Sequence, residues 1–146
     1  MSVLALALAL APLAQDDLMK EFERLDEARD HAAVVELFRD NPDATLQVID
    51  SYLEGSLSII EAAAANDGAE PDREKIAAMH ARAARGARAA DEAFGRVVFA
   101  DYVSSFVGWT SDEQKRFRAG QKAYAEARRA LAEGKADAAV AKAREC

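Results

Sequence analysis

From Gln15 onward, apolar residues recur every three or four positions almost to the end of the chain, and that period dictates helices. The clearest run is Leu46, Ile49, Leu53, Leu57, Ile60 and Ala64, a spacing that lays all of them along one helical face. Alanine does much of the remaining work. It accounts for 35 of the 146 residues, and it is the best helix former with almost no side-chain entropy to lose. Such a composition excludes an all-β fold, a disulfide scaffold, collagen and a zinc module. The expected class is all-α, with antiparallel helical hairpins arranged as an α-solenoid or a helical bundle.

Breaks between the helices are written in capping residues. Leu18, Phe22 and Leu25 stripe a short first helix, residues 28–30 allow a turn, and Ala33, Val34, Leu37 and Phe38 stripe a second. Asn41 is expected to cap the third helix, with Pro42 at its first position and Asp43 near the positive end of its dipole. That helix should end near Asn66, Asp67 and Gly68. Residues 72–107 then carry Ile76, Met79, Ala83, Ala87, Ala90, Phe94 and Val97 as a seam whose alanines let a neighbour approach closely. Gly86 counts against that helix by about 1 kcal/mol, and Gly95 marks a kink or break. Beyond it, Val97, Val98, Phe99, Tyr102, Val103, Phe106 and Val107 crowd together and are expected to be the most buried part of the molecule. Thr110 and Glu113 have capping-box spacing, Phe117, Gly120, Tyr124, Ala127 and Leu131 stripe the next helix, and Gly134 ends it before a last one from Ala136. No low-complexity linker interrupts residues 15–146, which read as a single all-α domain.

Residues 1–14 are uncharged and apolar except for Ser2 and Pro12, too few to span a bilayer, which needs about 20. A short apolar core followed by Pro12 and the small Ala14 has the form of a secretory signal peptide, cut after Ala14. The mature chain would then be secreted or periplasmic, with no stable membrane insertion after cleavage. The net charge of -7 excludes nonspecific nucleic-acid binding, which needs a basic surface to displace counterions.

Residues able to carry chemistry are few. His31 and His80 are the only histidines, and Glu27 and His31 lie four apart, a spacing at which two side chains could share a metal. No further ligand pair accompanies them, so no metal and no cofactor are expected. Cys146, the one cysteine, has no disulfide partner in the sequence. Arg82, Arg85 and Arg88 recur every three residues along one helix, flanked by Lys75 and Arg96, and could meet an acidic partner or a phosphate. Trp109, just before a helix start, is a staple or core anchor, or else an interface residue. Neither a phosphate-cradling glycine loop nor a serine elbow is present, so no enzyme and no catalytic residue are expected.

Residues 120–146 resemble a tetratricopeptide repeat, a helix-turn-helix with small residues at its packing contacts. In that resemblance Gly134 takes the turn glycine, Ala127 the small position of the first helix, and Ala139 and Cys146 those of the second. Ala123 and Ala130 depart from it, standing where the family favours aromatic residues. The resemblance implies a TPR-like stack continuing past residue 146 in a longer chain, since repeat arrays need capping ends. The implied function is that of an exported, non-enzymatic protein-protein interaction scaffold for a protein or peptide partner. Arg82, Arg85, Arg88 and Trp109 are the candidate interaction surface. Two alternatives stand beside it. One is a self-contained helical bundle binding a small ligand or metal in a cavity near Met79, His80 and the Phe94–Phe106 cluster. The other is the regulatory segment of an enzyme whose catalytic domain follows residue 146.

Overall fold

A computed structural model describes residues 15–66 and 69–144. The expected signal peptide and Cys146 lie outside the described residues, as do Asp67 and Gly68. The described residues form seven helices and no strand: α1 (Gln15–Glu27), α2 (His31–Asp40), α3 (Pro42–Ala65), α4 (Arg73–Phe94), α5 (Phe99–Gly108), α6 (Ser111–Ala132) and α7 (Ala136–Ala143). They divide into two compact units, one reaching to Ser104 and one starting at Ser105.

In the first unit α4 packs along α3 and α2, and α1 packs on α2 and α3. Its core is built from α1 (Leu18, Phe22, Leu25), α2 (Val34, Val35, Phe38) and the α3 face of Val48, Ile49, Tyr52, Leu53 and Leu57. The Phe22 ring stacks on Phe38 at 5.6 Å and meets Tyr52 at 5.8 Å, a geometry that adds about 0.5–1.5 kcal/mol per pair beyond area burial. Against these large side chains the buried residues of α4 are Ala83, Gly86, Ala87, Ala89 and Ala90. A Cβ at Gly86 would lie 3.1 Å from Phe22 Cζ, so this glycine is where the aromatic ring reaches the α4 backbone.

Several expectations are corrected by this packing. The stretch expected to be most buried is not: Val97 and Val98 are 72% and 60% exposed and Val107 is 47% exposed, leaving Val103 and Phe106 as its buried residues. The helix stops at Phe94, and Val97 and Val98 fall in the turn before α5. The Asp91 carboxylate accepts the N–H groups of Val98, Phe99 and Ala100, and so caps α5. Apolar crowding there reflected a chain changing direction, not a wide buried face. On α3, Leu46 is exposed while Thr45 and Ser56 are fully buried. Their hydroxyls donate to the carbonyls of Asn41 and Leu53, which removes the cost of burying them. Asn41 flanks α3 without a side-chain cap, its amide donating instead to the Leu37 carbonyl at 2.9 Å.

Three helices end on the same device. After α4 and after α6 the chain turns through Gly95 (φ 62°) and Gly134 (φ 74°), with Arg96 N–H returning to the Asp91 carbonyl and Lys135 N–H to the Ala130 carbonyl. After α1 the same bonds form, Asp30 N–H to the Leu25 carbonyl and Arg29 N–H to the Asp26 carbonyl, but the left-handed residue is Arg29 (φ 58°). A side chain there costs about 1–2 kcal/mol that glycine avoids.

The second unit holds a different kind of contact. Phe106, Trp109 and Phe117 form a ring cluster with centroids 5.1–5.6 Å apart, which makes Trp109 a packed, half-buried residue. The Thr110–Glu113 capping box opens α6 as expected. From there α6 and α7 close as a hairpin, with Ala123, Ala127 and Ala139 buried. Tyr124 and Leu131 are 58% and 66% exposed, so the apolar α6 stripe turns partly outward, and Val140 on α7 is 53% exposed.

Candidate functional site: an arginine-lined cleft

The α1 stripe carries a charged residue, Asp26, four positions after Phe22 and next to Leu25. Its side chain is therefore drawn to the core edge and is only 5% exposed. Two arginines one turn apart on α4 reach it. Arg85 grips it with both arms of its guanidinium, Nε to Oδ1 at 2.5 Å and Nη2 to Oδ2 at 2.7 Å, and Arg82 Nε donates to Oδ2 at 2.9 Å. Arg82 also reaches Glu27 at 3.1 Å, stands 3.8 Å from Glu23 and lies 5.7 Å from the centre of the Tyr52 ring. The Arg85 hydrogen bonds hold the Asp26 carboxyl below its ordinary range. The same pairing pushes the Arg85 guanidinium up.

Beside this pair, between the α1–α2 turn and α4, lies a cleft of about 240 Å³. Buried Phe22, Leu25 and Val34 form its apolar floor, and Arg29, His31, Arg85 and Arg88 stand around it. Both carboxylates in its lining already have partners: Asp26 holds the two arginines, and Asp30 accepts the Ala33 N–H as the N-cap of α2. Arg29 and Arg88 are exposed, and among the described residues neither has an ion-pair partner. A second hollow of about 350 Å³ shares Arg29 and Arg85 with the first and adds Lys75, Arg82, Tyr52 and Met79. Cations thus gather along one groove of an acidic chain.

The candidate residues separate under this geometry. Arg82, Arg85 and Arg88 are brought together on α4, Arg82 and Arg85 largely engaged within the protein and Arg88 facing the cleft. Trp109 belongs to the other compact unit. The Glu27–His31 pair is not formed, because the left-handed turn at Arg29 ends α1 between them. His31 Nε2 instead lies 2.8 Å from Glu92 Oε2, while Glu27 accepts from Arg82. Among the described residues no three histidine, cysteine, aspartate or glutamate side chains are placed to hold a metal. His80 Nε2 lies 2.9 Å from the buried Ser56 hydroxyl, and half-burial holds its imidazole below the usual value. Met79 borders the second hollow, whereas Phe94 borders a third, of about 340 Å³, with Pro42, Arg96 and Phe99. Sequence reasoning missed Asp26 and Arg29. The signal for Asp26 was a charge at apolar-stripe spacing, and for Arg29 a helix end without glycine.

No protein-family model, curated protein or solved structure matches the chain. No helix among the described residues is long and apolar enough to cross a membrane.

Proposed function

We propose that the chain is a non-enzymatic helical module that binds a protein partner, and that its α6–α7 hairpin belongs to a TPR-like stack rather than to a simple bundle. One observation carries this: the hairpin closes on Ala123, Ala127 and Ala139 while Tyr124, Leu131 and Val140 stand outside. A hairpin that buries small residues while three large ones stand exposed leaves hydrophobic gain to a neighbour. The turn at Gly134 and the small residues at Ala127 and Ala139 are also where a tetratricopeptide repeat has them.

A photo-crosslinking residue in place of Leu131 tests the interaction surface in the producing cell. A defined protein adduct, formed far more from position 131 than from the more exposed, polar Lys115, is the expected result. Equal yields at the two positions overturn the proposal. Export is tested separately, by the mass of the recovered chain. An N-terminus at Gln15 supports cleavage after Ala14, and retention of Met1 contradicts it.

A further inference from the structure

The cleft between the α1–α2 turn and α4 is independent of the hairpin, and its chemistry is specific. Its floor is hydrocarbon: Phe22 is 1% exposed, Leu25 6% and Val34 4%. Its cations are in excess of its own needs, since Asp26 and Asp30 are engaged while Arg29 and Arg88 have no ion-pair partner among the described residues. Its volume of about 240 Å³ is below the range of about 300–1,000 Å³ that takes drug-sized ligands. One of the free cations is held there at a cost. Of the three helix ends built on the same left-handed turn, two use Gly95 and Gly134, and the one beside the cleft uses Arg29.

We propose that this cleft is a binding site for a compact apolar carboxylate, a small free acid. Its carboxylate would be received by the guanidinium groups of Arg29 and Arg88, and its hydrocarbon part would lie on Phe22, Leu25 and Val34. A planar guanidinium matches a carboxylate edge to edge. A phosphate dianion fits poorly, because the apolar floor cannot replace its hydration and the neighbouring Asp26 and Asp30 oppose a second negative charge. Retaining Arg29 in a strained conformation is then accounted for, because glycine would relieve the backbone and remove the charge.

The test is a titration of the full chain with hexanoate, followed by amide chemical shifts and calorimetry. Four comparisons accompany it: hexanamide, inorganic phosphate, a short acidic peptide, and the variants Arg88→Ala, Arg29→Gly and Arg73→Ala. Hexanoate should shift the amides around Arg29 and Arg88, and hexanamide should bind about tenfold or more weakly, having lost the charge-assisted hydrogen bonds. Arg88→Ala should weaken hexanoate by a similar factor, while Arg73→Ala, which removes the same charge from the start of α4 away from the cleft, should leave it unchanged. Arg29→Gly should raise the melting temperature and weaken hexanoate together, two opposed changes that a purely structural arginine would not give. Should Arg88→Ala fail to fold, Arg88→Gln removes the charge and keeps the stem. Equal binding of hexanamide and hexanoate overturns the proposal, as does equal binding of phosphate, or no binding at all. Tighter binding of the acidic peptide also overturns it, by assigning the cleft to a chain-borne carboxylate. None of these outcomes touches the hairpin, so the two proposals stand or fall separately.

Discussion

Helices α1–α4 and the α6–α7 hairpin are both rich in alanine, yet they use it in opposite ways. In the first unit alanines of α4 make a shallow surface on which the large residues of α1, α2 and α3 close, so that Phe22, Phe38, Ile49 and Leu53 are all at most 1% exposed. In the hairpin the buried residues are Ala123, Ala127 and Ala139, while Tyr124, Leu131 and Val140 stay exposed and Phe117 packs on Phe106 and Trp109. Alanine against a large side chain makes a core, because the ring or branched chain brings the buried area. Alanine against alanine brings two helices close with little area removed from water, and such a contact needs support from elsewhere. The same composition therefore yields one core closed by large side chains and one contact whose buried residues are small.

The sharpest way to break this contrast is to remove a large side chain from the first unit. Phe22→Ala deletes the ring that stacks on Phe38, meets Tyr52 and covers Gly86. A loss of about 3–5 kcal/mol is expected, read as a fall in the chemical denaturation midpoint by far-ultraviolet circular dichroism. A loss under about 1 kcal/mol would mean that the ring is not central to this core.

Next in size is the ion pair at the edge of that core. Asp26→Ala leaves part-buried Arg85 without its carboxylate and Arg82 with only Glu23 and Glu27, and a cost of about 3 kcal/mol is expected. The pH dependence has a fixed sign. Because the folded-state pKa of Asp26 is lowered from 3.8 by Arg85, its contribution is fully present above pH 3.8 and is lost as the pH falls through the lower folded value. The wild-type midpoint should decline in that acid window more steeply than the midpoint of the variant. Parallel acid limbs would show that Asp26 does not contribute to the acid response.

How far the sequence disclosed all this depends on which force decided each position. Helix starts and stops set by local chemistry were legible, as with Pro42, the Thr110–Glu113 box, Gly95 and Gly134. So was the α1 stripe of Leu18, Phe22 and Leu25, where one period matched one buried face. Burial set by distant partners was not. Val97 and Val98 read as core because apolar residues crowd there, but a turn points them to solvent, and nothing local distinguishes the two cases. Thr45 and Ser56 lie off the apolar stripe, and their burial rests on hydroxyl bonds to nearby backbone carbonyls that show only in the fold. The arginine stripe was visible, but its engagement with Asp26 was not, since that carboxylate lies 56 and 59 positions away.

A smaller effect sharpens the role of the α4 surface. Gly86→Ala improves helix propensity by about 1 kcal/mol, yet places a methyl 3.1 Å from Phe22 Cζ. Overpacking at about 1–3 kcal/mol should outweigh the gain, for a net loss of about 1 kcal/mol. A net gain in thermal unfolding would show that the ring has room to move, and that α4 packs less closely than its alanine surface implies.

The smallest expected effect decides most about the hairpin. Leu131 is a large apolar residue on α6, and in an ordinary bundle its replacement by serine would cost as much as other core truncations. At 66% exposure it has little burial to lose, and the buried Ala123, Ala127 and Ala139 are left in place. Leu131→Ser should therefore change the stability of the chain by no more than about 0.5 kcal/mol, as for a surface site. Two results of the same unfolding experiment then point in different directions. An unchanged midpoint leaves Leu131 as an outward residue without a structural role of its own, the property required of a surface kept for a neighbour. A loss of 2 kcal/mol or more would show that the side chain is covered within the chain itself, and the hairpin would be as closed as the core that Phe22 holds.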